Sequence, residues 1–506
     1  HTTSVGAWPI TAPGLSRRRK RRRETGMARR LVGIDLGVAT AHTVVVLNEE
    51  GKVVARRRCG PRRKSLEEVE QAALKDAPEG TSLEVVFEAT GAAWLPVAVF
   101  FVRRGHRVYR VSTAKASALR RFWSRHAKSN SIDAKTLAQL ALIDDGLAPI
   151  ELAEGQLASL DRRVRAADRL RDLASAHKMR IRELARQVMP MLDEAIGGEL
   201  AHADIAVLER YGDPRRLLRA GRARLTAVIH KASHGHHGSA RAEAWLAVAR
   251  QAIELYGDDP AVAFEDLAAE ITGEARLWRA TEAEHRVHAG AREAAYRVVD
   301  PAGLARSLPG VGTTGGPVIV ATMGRPGRFP NPDAFKAFTG LTPRASQTGV
   351  SDRKGQAMTK AGPRRLRDQL VQSANTARKI DPQLAAVYWS QMVERGAHHT
   401  KAVCVVAARL AARAHAVMVR QEPYVIRDLD GRPVTIAEAK EIIAERFQVP
   451  EHVRRRRRAQ QGKAPQAMPQ GIAHRGDLPH RNSPATFNRD QDQPVTTSAA
   501  NAPTRY

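Results

Sequence analysis

Two short apolar runs near the start of this chain each end in a carboxylate. The first is Leu31-Val32-Gly33-Ile34-Asp35, and the second is Val85-Val86-Phe87-Glu88. Such runs are typical of buried strands, and an acid at the tip of a buried strand is costly to desolvate unless a cation meets it. A third acid, Asp133, stands near the head of an apolar-periodic segment. The sequence therefore predicts that Asp35, Glu88 and Asp133 converge on a divalent metal ion.

The order of the elements around these acids narrows the fold class. Apolar alternation and turn residues predict five strands: Leu31 to Leu36, Thr43 to Leu47, Lys52 to Arg58, Leu83 to Glu88, and Arg107 to Val111. A turn at 48–51 would join the second and third strands, and a helix from Trp94 to Arg104 would connect the last two, with Gly105 ending it. Three antiparallel strands followed by alternating helices and strands are the order of the ribonuclease H-like (RuvC-like) α/β fold. That fold assembles its metal site at the ends of its first and fourth strands.

The rest of the chain has a mostly helical pattern, so the predicted fold class is α/β plus α. Apolar spacing indicates that Leu157 to Leu192 and Ala242 to Val299 pair as an antiparallel coiled coil. Met27 precedes the first strand, so residues 1–26 are expected to be upstream translated sequence. The predicted organisation is a basic disordered extension (1–28), the ribonuclease H-like domain (29–150), the coiled-coil segment (151–300), a mostly helical C-terminal domain (301–421), a small polar appendage (422–450) and a disordered tail (451–506).

Charge and cysteine content restrict the partners and the compartment. The 506 residues include 82 Lys and Arg against 53 Asp and Glu, a formal net charge of +29. Such an excess favours a polyanion such as DNA or RNA, although a genome rich in G and C would also raise the arginine content. Cys59 and Cys404 are the only cysteines, so no disulfide framework exists and a cytoplasmic location is expected. The longest apolar stretch, Pro96 to Val102, is too short to span a membrane.

A glycine-rich turn marks the start of the C-terminal domain. Leu308-Pro309-Gly310-Val311-Gly312 has the form of a helix-hairpin-helix turn. The glycines would let backbone N–H groups approach a phosphate at the start of a helix, which makes Gly310 and Gly312 candidate nucleic-acid contacts. An ordinary glycine-rich helix connection has the same pattern.

Taken together, these motifs and their order resemble the transposases of the insertion sequence 110 (IS110) family. These are DEDD-type recombinases related to the Piv invertase, and the resemblance runs from Leu31 to about Arg420. The motifs that carry it are Gly33-Ile34-Asp35, Phe87-Glu88-Ala89-Thr90-Gly91, Lys128-Ser129-Asn130-Ser131-Ile132-Asp133-Ala134-Lys135, Leu308-Pro309-Gly310-Val311-Gly312, Phe335-Lys336-Ala337-Phe338-Thr339-Gly340-Leu341-Thr342-Pro343 and Met358-Thr359-Lys360-Ala361-Gly362.

The family pattern implies four acids, the last two three residues apart. In this chain the first of that pair falls on Asn130, which offers a carbonyl oxygen to a metal but removes one negative charge. The site therefore either works with three acids or is impaired.

The family also implies a serine in the C-terminal domain that attacks DNA and forms a covalent phosphoserine link. That serine commonly precedes a glycine, and here the residue before Gly349 is Thr348. Ser346 is the first candidate, Thr348 the second and Ser351 the third. The surrounding cations would contact phosphates or RNA backbone, and they are Arg344, Arg353, Lys354 and Lys360.

The resemblance implies a Mg²⁺-dependent DNA transposase that works as a dimer or tetramer and chooses donor and target DNA through a noncoding guide RNA. Three alternatives stay open. One is a RuvC-like, structure-selective nuclease that uses metal-activated water, and another is an inactive nucleic-acid-binding derivative. The third, an actin-like kinase, is weakened because the sequence has no second Asp-Gly phosphate loop.

Overall fold

The N-terminal part of the chain forms a mixed sheet covered by helices, and the rest is mostly helical. The computed structural model describes residues 28–88, 91–123, 129–144, 147, 149–153, 155–257, 261–344, 347–348, 351–352 and 356–461. The predicted basic extension (1–28), apart from Ala28, and the tail beyond 461 lie outside these residues.

Five strands build the N-terminal sheet. They are β1 (Arg29–Asp35), β2 (His42–Leu47), β3 (Val53–Cys59), β4 (Ser82–Glu88) and β5 (Arg107–Val111). Their order in the sheet is β3-β2-β1-β4-β5, with the first three strands antiparallel and β1, β4 and β5 parallel. The five predicted strands and the mixed α/β class are confirmed. Strands such as β2 and β4 contain near-continuous apolar runs, which is the pattern of strands that are covered on both faces.

Helices cover both faces of this sheet. On one face, α1 (Arg63–Leu74) and α2 (Trp94–Arg103) pack against Val32, Ile34 and Phe87. On the other, α3 (Thr113–Trp123) and α4 (Asn130–Ile143) pack against Leu31 and Val86. Helix α1 was not predicted from the sequence, because its apolar stripe is narrow and its other positions are mostly charged.

Two long helices follow the sheet domain and run antiparallel. They are α5 (Gly155–Val188) and α10 (Phe264–Val299). Their direction follows from two cross-helix pairs, because His177 Nδ1 lies 2.7 Å from Glu274 Oε2 and Arg180 Nη2 lies 3.2 Å from Glu270 Oε2.

Four shorter helices between them share one core with parts of both long helices, around Ile205, Leu225 and Trp245. They are α6 (Leu192–Ile196), α7 (His202–Tyr211), α8 (Pro214–Ala232) and α9 (Ser239–Tyr256). The expectation of one continuous segment from Ala242 to Val299 is therefore wrong. Its first part is α9, which ends at Gly257 in a backbone conformation with φ of +55° that favours glycine.

The C-terminal helices enclose a second large core that includes Phe335, Leu366 and Leu410. The elements are α11 (Leu304–Ser307), α12 (Gly315–Met323), a 3₁₀ turn (Pro326–Arg328), α13 (Pro332–Thr339), β6 (Gln347–Thr348), β7 (Ser351–Asp352), α14 (Arg364–Ala377), α15 (Pro382–Val393) and α16 (His399–Arg420). Helix α16 is long and apolar enough to cross a membrane by composition, but it packs inside this core, with 56% of its most apolar window buried.

The chain continues past Arg420 into two more helices, α17 (Ile436–Arg446) and α18 (Glu451–Gln461). The expectation that residues 451–506 lack regular structure is wrong for the residues of α18. Val453 packs against the C-terminal core, and Arg457 Nε donates to the Met392 carbonyl over 3.3 Å. Tertiary contacts therefore stabilise a helix whose own sequence is strongly polar.

Candidate functional site

The first two predicted acids stand side by side at one edge of the sheet. Asp35 ends β1 and Glu88 ends β4, and the parallel register pairs Ile34 with Phe87 one residue earlier. Because parallel strands end at the same edge, both carboxylates lie at the carboxyl edge of the sheet.

Both acids also project from the same face of the sheet. Side chains alternate along a strand, so Asp35 shares its face with Leu31, and Glu88 shares its face with Val86. Leu31 and Val86 belong to the core that includes buried residues of α4, whereas Ile34 and Phe87 belong to the opposite core. Asp35 and Glu88 therefore face the side of the sheet that carries the third acid.

Gly33 brings α4 directly onto the sheet. A Cβ atom at Gly33 would overlap the Ala134 carbonyl oxygen and the Ala138 backbone nitrogen. Only glycine permits this approach of helix backbone to strand backbone. Because Asp133 adjoins Ala134 and Asp35 is two residues from Gly33, this contact fixes the third acid relative to the first.

Asp133 is held at the first turn of α4 by a cap and by an ion pair. Ser129 caps the helix, with its Oγ accepting from Ile132 N over 3.3 Å. The Asp133 carboxylate accepts a hydrogen bond from Arg120 Nη1 at the end of α3, over 2.9 Å. Asn130 is exposed in the same turn.

The predicted acids thus share one face and one edge, but their side chains do not form a closed ligand set. Within the described residues, no three His, Cys, Asp or Glu side chains gather closely enough to hold a metal ion. Arg120 draws the Asp133 carboxylate toward α3. The donor types nevertheless suit a hard divalent cation, which prefers carboxylate and amide oxygens.

Two arginines on the edge strand flank the acids, and neither was predicted from the sequence as part of the site. Asp35 pairs with Thr43 on β2, and Thr43 pairs with Arg58 on β3. Because paired residues project from the same face of a sheet, Arg58 lies on the face that bears the acids. Arg56 shares that face, and its Nη1 donates to Ser131 Oγ in the first turn of α4 over 2.6 Å. The signal was present as three consecutive arginines, Arg56 to Arg58, on a polar edge strand, because side-chain alternation places the first and third of them on the same face.

Two of the three candidate nucleophiles, Thr348 and Ser351, lie on a hairpin of the C-terminal domain. Its base is closed by Arg344 N donating to Ala357 O over 2.8 Å and by Thr359 N donating to Thr342 O over 2.9 Å. Beyond this base, β6 and β7 pair Thr348 with Ser351. Ser346, Arg353 and Lys354 lie outside the described residues. Thr348 and Ser351 therefore occupy opposite strands of one short ladder, on a different domain from the acids.

The two remaining cations of the predicted site stand at the base of this hairpin. Arg344 and Lys360 are both exposed, and the Lys360 N–H donates to the Gly340 carbonyl over 3.1 Å. Lys360 has a φ of +53°, which is uncommon for a residue other than glycine. The backbone therefore holds this lysine at the base of the hairpin in a strained conformation, of a kind that clusters at functional sites.

The two glycines of the Leu308–Gly312 turn have different surroundings. Gly310 has a φ of +73°, and a Cβ there would lie 2.8 Å from the Ala377 nitrogen on α14. At Gly312, a Cβ would meet nothing within 4 Å, and φ lies outside the left-handed region. Gly310 is therefore required by packing, and Gly312 is the more accessible of the two for a phosphate contact.

Comparisons with known proteins give matches in both parts of the chain that carry candidate site residues. An IS110-type DEDD transposase family matches residues 32–190, and the transposase IS116/IS110/IS902 family matches residues 302–389. The insertion element IS110 uncharacterized 43.6 kDa protein of Streptomyces coelicolor is 27% identical over 379 residues, which cover 74% of this chain and 89% of that protein. The insertion element IS116 uncharacterized 44.8 kDa protein of Streptomyces clavuligerus is 24% identical over 386 residues, which cover 75% of this chain and 88% of that protein.

Proposed function

We propose that this chain is a DNA transposase of the IS110/IS116 family, and that it exchanges DNA strands with a carboxylate centre on its sheet and a hydroxyl nucleophile on its C-terminal hairpin. The observation that carries this proposal is that Asp35 and Glu88 lie at one edge of the sheet and project from one face. Helix α4, with Asp133 in its first turn, covers that same face. A ribonuclease H-like (RuvC-like) assignment of the sheet domain is part of the same proposal.

Asp35, Glu88 and Asp133 would hold Mg²⁺, and the side-chain carbonyl of Asn130 would add a neutral oxygen ligand. Bound there, the ion would stabilise the charge that develops on the scissile phosphate. Asn130 replaces a carboxylate of the family pattern, so the site carries one negative charge fewer. Arg56 and Arg58, on the same face, would neutralise the DNA backbone beside it.

The nucleophile would be the Ser346 hydroxyl, with Thr348 and Ser351 as the next candidates. Its oxygen would form a bond to the scissile phosphorus while the bond from phosphorus to the leaving deoxyribose oxygen breaks. The hydroxyl proton passes to a base and the departing oxygen takes up a proton. One ester is exchanged for another, so the hydroxyl of a second strand can later attack the same phosphorus and release the protein.

A noncoding RNA would choose the donor and target DNA by base pairing, and a dimer or tetramer would be needed to cut four strands. The net charge of +29 supports this part of the proposal, since a protein that binds backbone rather than bases needs many dispersed cations. Arg344 and Lys360 at the hairpin base are the described cations next to the candidate nucleophiles.

The test is Mg²⁺-dependent strand exchange by the full chain with RNA transcribed from the ends of its element. We expect Asp35→Asn to lower the rate about 100-fold or more, the size of effect seen when one preorganised electrostatic group is removed. Asp172→Asn is the matched control, because Asp172 is 73% exposed and belongs to α5, not to the sheet or to α4. Ser346→Ala, Thr348→Ala and Ser351→Ala identify the nucleophile, with the exposed Ser175→Ala as control. Full activity of all three hydroxyl variants would exclude a covalent serine or threonine mechanism.

A hydrolytic RuvC-like nuclease is the second candidate, because the three acids belong to the sheet and the helix that covers it, and metal-activated water needs no hydroxyl from the C-terminal hairpin. End-labelled DNA and a denaturing protein gel separate the two mechanisms. A covalent enzyme leaves a labelled protein band that the correct alanine substitution removes, whereas metal-activated water leaves only shortened DNA.

A further inference from the structure

A cavity of about 570 Å³ opens among the C-terminal helices, and its lining includes neither the three acids nor Thr348 and Ser351 of the hairpin. Its walls come from the end of α14, from α15 and the start of α16, and from α17 and α18. Pockets of about 300–1,000 Å³ are large enough for a small organic ligand. The last two walls lie beyond residues 302–389, the C-terminal stretch matched by the transposase family.

One side of the cavity is strongly cationic. Its described lining residues include no Asp or Glu but five basic side chains, Arg378, Lys379, Arg454, Arg457 and Arg458. Burial, together with the positive charge of Arg454, lowers the pKa of Arg378. The mutual repulsion of these cations favours an anionic ligand, and a phosphate is the anion that suits several converging guanidinium groups.

Neighbouring side chains hold Arg378, one of the lining cations, in a fixed orientation. Arg378 Nε donates to Asn375 Oδ1 over 3.0 Å, and its guanidinium lies 4.2 Å from the centre of the Tyr388 ring. Tyr388 in turn hydrogen-bonds through its hydroxyl to His399 Nδ1 over 2.8 Å. Burial and the charge of Arg378 lower the pKa of His399, so this ring is neutral at neutral pH. The cation at this wall is held in place before any ligand arrives.

The other side of the cavity is apolar and partly aromatic. Ile443, Phe447 and Val449 line it from α17 and the residues after it, and Phe447 is only partly buried. Cations beside an accessible aromatic ring form the combination that binds an unstacked base together with its phosphate. Inorganic phosphate alone would leave this apolar wall without a partner.

We propose that this cavity binds one nucleotide of a single-stranded nucleic acid, with the phosphate against the arginines and the base against Phe447. The inference rests on the proposed function, since strand exchange exposes unpaired strands of DNA and of guide RNA. It adds a holding site, built largely by α17 and α18, that takes no part in the chemistry.

The test is binding of fluorescein-labelled oligo-dT and oligo-rU of about ten nucleotides to the full chain, measured by fluorescence anisotropy in EDTA. The decisive comparison uses one helix. Arg454→Gln with Arg458→Gln removes two lining cations, and Arg455→Gln with Arg456→Gln removes two cations of α18 that do not line the cavity. We expect the first pair to weaken binding about 10-fold or more and the second about 2-fold or less. Equal losses would mean that α18 is only a charged surface, and would overturn the proposal.

A second measurement tests the base contact. Phe447→Leu should weaken binding about 5-fold or more if a base stacks on the ring. In case this variant loses stability, photocrosslinking of oligonucleotides that carry 4-thiouridine to the unmodified protein should label the peptide that spans 443–458. Labelling of other peptides but not of this one would refute the site. The site would also be refuted if polyglutamate competed for binding as effectively as unlabelled oligonucleotide does. Asp35→Asn should bind the oligonucleotides normally, so a failure of the strand-exchange chemistry is distinguishable from a failure of this cavity.

Discussion

Replacing Gly33 with alanine should separate α4 from the sheet and damage the site without removing any functional group. The new methyl group would overlap the Ala134 carbonyl oxygen and the Ala138 nitrogen. To restore an ordinary separation of about 3.5 Å, the strand and the helix must move apart by about 1 Å or more. Overpacking of this kind costs about 1–3 kcal/mol. A displacement of about 1 Å in catalytic geometry lowers rates about 100-fold.

Hydrogen–deuterium exchange measures this effect locally, which suits a chain with several cores. A loss of about 1.4 kcal/mol in local stability speeds amide exchange by a factor of about ten. The expected loss of about 1–3 kcal/mol should therefore make exchange in Arg29–Asp35 and Asn130–Ile143 about 5- to 150-fold faster. Strand exchange should fall in parallel.

The controls are Gly273→Ala and Gly290→Ala on α10, where a Cβ would meet nothing within 4 Å. Each should stabilise its helix by about 0.5–1 kcal/mol and leave the sheet unchanged. A Gly33→Ala protein with unchanged exchange in β1 and α4 would refute the reasoning that this contact positions Asp133.

Three further substitutions test other contacts. Gly310→Ala should lower the melting temperature because φ is +73° and the turn packs on α14, whereas Gly312→Ala should not; equal melting temperatures would contradict the assigned packing role. The hydrogen bond from Arg306 lowers the pKa of Glu293 from its ordinary 4.5 to about 2. This pair therefore stabilises the protein fully above pH 4.5 and less as the pH falls through 2. Glu293→Gln should accordingly lower the melting temperature near neutral pH but not at pH 2, and a deficit independent of pH would be inconsistent with that linkage. Arg120→Gln frees a carboxylate of α4 and should tighten Mn²⁺ binding in calorimetry by up to about 5-fold, the equivalent of the roughly 1 kcal/mol that a solvent-accessible ion pair is worth; weaker binding would show that the arginine supports the site.

The sheet was predictable because its pattern is local. Runs such as Leu31 to Asp35 alternate toward two covered faces, and the turn at 48–51 fixes where the first hairpin folds. The same strand ends place Asp35 and Glu88, so two of the candidate acids follow from the sequence. Helix α1 and the break between α9 and α10 could not be predicted from the sequence. Their apolar positions can be recognised only when the surfaces that they pack against are known.

The sequence by itself determined the mixed sheet, the acids at its strand ends, the basic character and the transposase motifs. Each depends on residue type and on spacing along the chain. The tertiary structure alone decided that α4 lies against Gly33, that Arg120 pairs with Asp133, and that Arg56 and Arg58 flank the acids. It also decided that the arginines of α18 close a cavity with Phe447. These are contacts between residues distant in sequence, and their geometry depends on how whole elements pack, which no local pattern specifies.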